Sequence, residues 1–288
     1  MTWTDLFSSL VPLAAWHAAW LLAFGVYCIL VAFRGIPNLN REKHAKLIGP
    51  FFSHFLFWLI RPIENVLVAA RVSPNAITGA AVVIALAGGV FLGAGWLGLG
   101  GWLFLATGIT DILDGHVARR TNRVSVSGAF TDSVADRVSE AAIMSGLAWH
   151  YRASWVLAAA LLLLSASFLV SYTRARAEGL GVDGADVGAM ARPERILFLS
   201  LTIVWAPFVG LWASPETTRM AWPTVIGLLL VGLLTLATAV RRFAVVYQHL
   251  EDRARKAAQP VDDTRPSDQS EAAEEAEVAE VAAQLVQS

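Results

Sequence analysis

Apolar residues in this chain come in uninterrupted blocks that are longer than the buried stripe of a soluble helix. The first block, Leu10 to Phe33, contains one imidazole, His17, and no fully charged side chain. At about 1.5 Å per helical residue, it is long enough to cross the hydrocarbon core of a bilayer. A cleaved signal peptide would need a basic region before a shorter apolar segment, whereas the only charged side chain here is Asp5. The block therefore predicts an uncleaved transmembrane helix.

Later apolar blocks predict further helices that cross the membrane. They are preceded by a polar, basic stretch over 34–46 and by an apolar, aromatic segment, Leu47 to Ile60, which is too short to span. Because Arg61 and Glu64 follow this segment, it predicts an interfacial amphipathic helix at the headgroup boundary. Six blocks then have the length of a span: 76–98, 101–120, 128–150, 154–173, 195–213 and 221–244.

The composition agrees with an all-α integral membrane protein. Hydrophobic residues make up 56% of the 288 residues and charged residues only 16%, against about a quarter charged in soluble domains. The mean hydropathy is +0.56. A net charge of −1 gives no reason to expect a nucleic-acid partner, and a single cysteine, Cys28, cannot form an internal disulfide.

The distribution of positive charge predicts the orientation. If the segment after the first helix is cytoplasmic, Arg152 and Arg219 are the only 2 of the 22 lysines and arginines on the far side. This bias predicts a multi-pass protein of the cytoplasmic (inner) membrane with its N-terminus outside and its C-terminus inside. The predicted division is an extra N-terminal transmembrane helix (1–34), a basic segment with the interfacial helix (35–72), a six-helix catalytic membrane domain (73–250) and an acidic, disordered cytoplasmic tail (251–288).

Two pairs of aspartates lie at the cytoplasmic ends of adjacent predicted spans. Asp111 and Asp114 are three residues apart, and Asp132 and Asp136 are four apart, so each pair shares one helix face. The short connection over 121–127 predicts that the two helices are antiparallel neighbours, which lets the pairs converge. Four close carboxylates repel one another in a low dielectric. Hard divalent cations such as Mg²⁺, Mn²⁺ or Ca²⁺ would relieve this repulsion, and they suit phosphoryl chemistry.

Two other interpretations of these aspartates are less favoured. They could belong to a structural salt-bridge network at the helix ends, or to the pathway of a membrane transporter. A transporter is disfavoured because the carboxylates lie at a membrane face and accompany glycines, Gly115 and Gly128, at fixed spacing. No pair of broken helices is evident at mid-membrane depth.

The full pattern around the aspartates is D-x2-D-G-x2-A-R-x8-G-x3-D-x3-D. It resembles the signature of the CDP-alcohol phosphotransferase family, membrane enzymes that make phospholipids. The resemblance implies a fold of six transmembrane helices over roughly 60–245, and a homodimer. All eight fixed positions match: Asp111, Asp114, Gly115, Ala118, Arg119, Gly128, Asp132 and Asp136.

The resemblance also implies roles for individual residues. Asp111, Asp114 and Asp132 would bind two divalent ions, Mg²⁺ or Mn²⁺, that hold the pyrophosphate of a CDP-diacylglycerol-type lipid. Asp136 would belong to the same metal site and act as the general base that takes the proton from the acceptor hydroxyl. The segment S-P-N-A-I-T is similar to a family motif that opens a helix, and locally Ser73 predicts an N-cap with Pro74 at the first helical position. The implied contacts of the CDP-lipid are Pro74, Asn75, Thr78, Asp111, Asp114, Gly115, Ala118, Arg119 and Gly128.

The acceptor is indicated by four arginines at the ends of two later spans: Arg174, Arg176, Arg192 and Arg195. Positive-inside anchoring explains some of them. A guanidinium fork also suits a phosphate, so we expect a phosphorylated polyol as acceptor. The stretch resembles prokaryotic synthases of inositol-phosphate lipids, which implies inositol 1-phosphate, although Ala191 stands where that pattern has Glu. Glycerol 3-phosphate, giving phosphatidylglycerophosphate, is the alternative.

Overall fold

The structure is a computed structural model, and it describes residues 3–34, 49–182, 187–212 and 220–258. All regular secondary structure within these ranges is helical. In chain order, the helices are α1 (Trp3–Arg34), α2 (Gly49–Ala69), α3 (Pro74–Gly93), α4 (Leu97–Arg120), α5 (Val126–His150), α6 (Val156–Gly179), α7 (Arg192–Trp212) and α8 (Trp222–Ala258).

Each predicted span coincides with one of these helices. The first block falls within α1, and the six later blocks fall on α3 to α8. By length and composition, four stretches can cross a membrane: Pro74–Gly93, Leu97–Arg120, Val156–Gly179 and Trp222–Arg255. Helix α5 is less apolar because it contains four charged residues besides its terminal histidine: Asp132, Asp136, Arg137 and Glu140. The all-helical membrane fold is confirmed, whereas the exact number of spans stays a prediction.

The end predicted for the interfacial helix is wrong. The sequence predicts that the helix ends at Ile60, before Arg61 and Glu64, but α2 continues through Pro62 to Ala69. The physical reason is that Glu64 does not face open water. Its side chain is 11% exposed and lies against His116 and Arg120 of α4. The charge of Glu64 suggested a helix end, but its contacts with His116 and Arg120 instead connect α2 to α4.

Helix α3 is the packing centre of the fold. Helices α4 and α5 contact each other, as their short connection predicts, but each packs far more extensively on α3. Small residues allow this close approach. A Cβ at Gly146 of α5 would collide with the backbone of Gly89 in α3, and a Cβ at Gly89 would collide with Ala142.

The apolar core runs through α3 to α8. Buried side chains with almost no exposed surface include Leu92, Ile143, Leu147, Leu199 and Leu228. Val245 ends one compact unit; a second begins at Val246, and its described residues are helical. The basic residues over 41–46 and most of the predicted acidic tail, 259–288, lie outside the described residues. The predicted boundaries of the four segments stay a prediction.

Candidate active site

The first aspartate pair lies near the end of α4, where the chain reverses. Asn122 adopts a left-handed backbone conformation with φ of 54°, which asparagine tolerates better than most residues. The backbone N–H of Arg123 donates to the carbonyl of Ala118 at 2.9 Å and closes the helix end. This tight turn leads directly into α5.

The second pair lies in the first turns of α5. Ser125 is the N-cap of this helix, with an extended backbone, and its hydroxyl accepts a hydrogen bond from the N–H of Gly128 at 3.0 Å. Because the cap fixes the residue at which the helix begins, it also fixes the direction in which the side chains of Asp132 and Asp136 project. Both side chains are partly buried.

Three of the four aspartates converge. Asp111, Asp114 and Asp132 each offer a carboxylate oxygen, and these oxygens all lie within 4.8 Å of one another. The Oδ1 of Asp132 is buried and has no hydrogen-bond partner among the described residues. Three hard oxygen ligands at this spacing, one of them unpartnered, suit a divalent cation such as Mg²⁺ or Mn²⁺.

The fourth aspartate is held by arginine. Arg192, the first residue of α7, donates from one guanidinium nitrogen to Asp111 at 2.5 Å and from the other to Asp136 at 2.7 Å. Its side chain is only 12% exposed. One planar guanidinium therefore joins a carboxylate of α4 to a carboxylate of α5, in the geometry that favours arginine over lysine.

The start of α3 brings the predicted nucleotide motif to the same place. The predicted cap is confirmed: Ser73 has an extended backbone and its hydroxyl accepts from the N–H of Ala76 at 3.3 Å, with Pro74 at the first helical position. One turn on, the hydroxyl of Thr78 donates to Asp114 at 2.6 Å within a buried environment. This hydrogen bond links the motif to the carboxylate cluster.

The predicted small-residue positions lie around this junction. A Cβ at Gly128 would be 3.8 Å from Oδ1 of Asn75, so the starts of α3 and α5 are adjacent. A Cβ at Gly115 would be 3.3 Å from a guanidinium nitrogen of Arg119, whose exposed side chain folds back along α4. Ala118 is partly buried on the same helix. Their roles in binding a nucleotide stay predictions.

A buried ion-pair network behind the aspartates was not predicted from the sequence. Glu140 accepts hydrogen bonds from Nε and Nη2 of Arg195, at 3.0 and 3.3 Å, and from Arg137 at 3.3 Å. Arg137 also contacts Asp136 at 3.5 Å and donates to Ser171 of α6. Glu140 lies four residues after Asp136 and eight after Asp132, so the spacing rule that identified the pair could also have identified Glu140.

The four arginines predicted for the acceptor occupy different environments. Arg192 contacts the aspartates, and Arg195 is 3% exposed and committed to Glu140. Arg174 donates to Glu178 at 2.9 Å in an exposed ion pair, and Arg176 is exposed. Convergence of all four on one phosphate therefore stays a prediction.

Counted as fully ionised groups, the carboxylates at the site outnumber the guanidiniums. Five carboxylates lie together with three guanidiniums, those of Arg137, Arg192 and Arg195, and the excess is two negative charges. The carboxylates are Asp111, Asp114, Asp132, Asp136 and Glu140. Because burial makes uncompensated charge costly, the excess also fits a bound divalent cation.

Comparison with known proteins places this chain in a family. The family model for CDP-alcohol phosphatidyltransferases matches residues 71–250. The chain is 33% identical over 202 residues to the phosphatidylinositol phosphate synthase of Cutibacterium acnes, covering 67% of this chain and 94% of that protein. It is 34% identical over 216 residues to the archaetidylinositol phosphate synthase of Methanothermobacter thermautotrophicus, covering 75% of this chain and all of the relative (100%).

Solved structures agree with the sequence relatives. The crystal structure of Mycobacterium tuberculosis phosphatidylinositol phosphate synthase with CDP-DAG bound superposes with a TM-score of 0.56 at 28% identity, covering 65% of this chain and 92% of that chain. The same enzyme in complex with manganese and citrate gives a TM-score of 0.56 at 27% identity, with coverage of 65% and 88%. The signature, the convergent carboxylates and these matches agree, and this multi-pass membrane protein belongs to the CDP-alcohol phosphatidyltransferase family.

Proposed function

We propose that the protein transfers the phosphatidyl group of a CDP-diacylglycerol-type lipid to a phosphorylated polyol, with inositol 1-phosphate as the best candidate, and releases CMP. The observation that carries this proposal is the cluster of Asp111, Asp114 and Asp132, with Arg192 bound between Asp111 and Asp136 at its edge. This arrangement supports a site for a phosphate-binding cation, beside a guanidinium that would bind a second phosphate.

The donor would bind at the junction of α3, α4 and α5. Asp111, Asp114 and Asp132, with Asp136 beside them, would hold two divalent ions, either Mg²⁺ or Mn²⁺. When bound, such ions neutralise the pyrophosphate of the donor and polarise its phosphorus for attack. The hydroxyl of Thr78 orients the carboxylate of Asp114 through their 2.6 Å hydrogen bond. The nucleotide would contact the surrounding small and polar residues: Pro74, Asn75, Thr78, Gly115, Ala118, Arg119 and Gly128.

The transfer step needs a base for the acceptor hydroxyl. Asp136 would take the hydroxyl proton as the acceptor oxygen bonds to the β-phosphorus, which bears the lipid. The bond from that phosphorus to the oxygen bridging to CMP breaks, and CMP leaves with the bridging oxygen. Arg192 contacts Asp136 at 2.7 Å, so it would position the base next to the acceptor.

The acceptor would be recognised by its phosphate. Arg192 is the best placed of the four arginines, because it already contacts the cluster. Arg195 would lie behind Arg192, further from the phosphate, while Arg174 and Arg176 would reach the phosphate from the end of α6. The two sequence relatives described above are synthases of inositol-phosphate lipids by their names, which supports inositol 1-phosphate over glycerol 3-phosphate. Ala191, in place of the glutamate in the pattern, precedes Arg192 directly.

A parallel acceptor assay tests this choice. Purified protein with CDP-diacylglycerol and Mg²⁺ or Mn²⁺ is offered inositol 1-phosphate, free inositol, glycerol 3-phosphate and serine, and CMP release is measured. We expect turnover with inositol 1-phosphate only, and none after chelation by EDTA. Turnover with free inositol would contradict recognition through a phosphate, and turnover with glycerol 3-phosphate alone would assign the alternative product.

Replacement of Asp136 by asparagine tests the base. General-base catalysis contributes about 10² to 10⁴ in rate, so Asp136→Asn should lower kcat by at least about 100-fold while the protein still binds the donor. The matched control is Asp252→Asn, which removes an exposed carboxylate on α8. If Asp136→Asn turns over at the rate of the control, Asp136 is not the base.

The same proposal includes the membrane location, the orientation and the oligomeric state of the protein. The protein would lie in the inner membrane with its N-terminus outside and its C-terminus inside, so that the active site faces the cytoplasm, and it would form a homodimer. The asymmetry of lysine and arginine supports this orientation. Reporter fusions at each end of the chain test the topology, and light scattering of the purified protein in detergent tests the dimer. A C-terminus on the outer side would place the site away from cytoplasmic acceptors.

A further inference from the structure

A second polar pocket lies between α2 and α4, away from the aspartates. Its volume is about 370 Å³. Two aromatic side chains, two histidines, two arginines and one glutamate line it: His54, Phe57, Trp58, Arg61, Glu64, His116 and Arg120. The five that come from α2 precede residue 71, where the match to the family begins. The α2 side of this pocket therefore lies outside the matched family region.

The pocket opens on the opposite side of α4 from the catalytic cluster. At 3.6 residues per turn, Arg120 is rotated by about 180° from Asp111, and His116 by about 200° from Asp114. A ligand in this pocket would therefore not share the carboxylates. Both sites nevertheless lie towards the same end of α4, because the four residues fall within its last ten positions.

Two arginines but only one acidic side chain line the pocket. Glu64 is already shared by two partners, with His116 at 3.4 Å and Arg120 at 3.1 Å. Arg120 also donates to Asn65 at 2.5 Å. Arg61 is exposed, and it makes no ion pair or hydrogen bond with any described residue. One guanidinium is thus left without an anion at a pocket that also offers two imidazoles.

Aromatic rings pack together along the walls of the pocket. The rings of Phe57 and His116 lie with their centroids 5.0 Å apart. Tyr27 of α1 hydrogen-bonds His54 at 2.8 Å and packs against Trp58 with centroids 5.6 Å apart. The extra N-terminal helix therefore holds the α2 side of the pocket in place.

We propose that this pocket binds the phosphate of an anionic glycerophospholipid. A phosphodiester carries one negative charge, which matches the one uncompensated guanidinium, Arg61, and the imidazoles of His54 and His116 can donate hydrogen bonds to its oxygens. Basic pockets between membrane helices are a known way to hold anionic headgroups. The ligand is assigned to a lipid because the pocket is built on α2, an apolar aromatic helix suited to the headgroup boundary. The site is separate from the proposed transfer reaction.

Lipid binding to the purified full-length protein tests the assignment. Native mass spectrometry or thermal unfolding in detergent is followed while phosphatidylglycerol or phosphatidylcholine is added. We expect saturable binding of phosphatidylglycerol, with an affinity about tenfold weaker in Arg61→Gln, and most of it retained in Arg61→Lys. The control is Arg241→Gln, which removes another exposed arginine, from α8. Arg61 is exposed, so its replacement leaves the fold intact.

Three results would overturn the proposal. Equal binding of phosphatidylglycerol and phosphatidylcholine would remove the requirement for an anion. The same affinity in Arg61→Gln as in Arg241→Gln would place the lipid elsewhere on the protein. The third test adds millimolar inorganic phosphate in place of lipid. If phosphate stabilises the protein only when Arg61 is present, and phosphatidylglycerol does not stabilise it, the pocket binds a soluble phosphate and the lipid proposal is refuted. CMP release does not enter the readout, so failure here is distinct from failure of the proposed transfer reaction.

Discussion

Replacing Glu140 with glutamine should destabilise the protein by about 3 to 5 kcal/mol, the usual effect of removing one partner from a buried ion pair. The Glu140 side chain is 7% exposed and that of Arg195 is 3% exposed, so water cannot replace the lost carboxylate. Glutamine has nearly the same shape, but it is neutral and its amide N–H groups would face donors of Arg195. The loss therefore comes from an unpaired buried guanidinium and not from a cavity.

The assay is reversible unfolding of the purified protein in mixed micelles, followed by far-UV circular dichroism. At about 2 to 4 °C per kcal/mol for a chain of this size class, the expected fall in Tm is about 6 to 20 °C. The matched control is Glu178→Gln, which breaks the Arg174 ion pair on the surface of α6, where the two side chains are 50% and 58% exposed. Exposed pairs contribute about 0 to 1 kcal/mol.

A double variant separates charge from packing. If the penalty is the unpaired guanidinium, adding Arg195→Gln to Glu140→Gln should recover part of the lost stability, because no buried charge is left unpaired at that position. The reasoning is refuted if Glu140→Gln is no less stable than Glu178→Gln. It is also refuted if the double variant loses the sum of the two single losses.

Two more changes probe the site and the packing that positions it. Thr78→Val keeps the shape of the side chain but removes the 2.6 Å hydrogen bond to Asp114. Loss of a charge-assisted hydrogen bond of about 1.5 to 3 kcal/mol should raise the metal concentration for half-maximal CMP release by about 10- to 150-fold. An unchanged metal dependence would contradict this role of Thr78. Gly146→Ala should cost about 1 to 3 kcal/mol in the same unfolding assay, because its Cβ would collide with Gly89 across the α3–α5 contact. Gly79→Ala, on an open face of α3 with nothing within 4 Å, should be neutral or slightly stabilising, and equal effects of the two changes would argue against the close crossing.

Much of the local structure follows from short-range patterns. Apolar blocks of sufficient length predict helices because a backbone in lipid must satisfy its own hydrogen bonds. Ser73 and Pro74 predict the start of α3, since capping involves only residues within one turn. The spacing of Asp111 and Asp114 places both on one face before any tertiary contact is known.

Contacts between helices were harder to foresee. The charged residues Arg61 and Glu64 suggested an end for α2 at Ile60, yet Glu64 has a partly buried partner on α4, 52 residues away along the chain. The partnership of Glu140 with Arg195 joins α5 to α7 across 55 residues. The spacing from Asp132 and Asp136 places Glu140 on the same helix face, but the residues that flank Glu64 and Glu140 do not indicate the distant partner of either carboxylate.

The chain alone therefore predicts eight helical segments, their membrane character and the carboxylates of the candidate site, because 3.6 residues per turn and the cost of burying charge act within a single helix. Packing determines which carboxylates meet. Helix α3 lies against both α4 and α5 through Gly89 and Gly146, and the arrival of Arg192 at Asp111 and Asp136 depends on where α7 packs on α4. These are long-range contacts whose energies depend on the shapes of several helices at once, and no spacing along one segment encodes them.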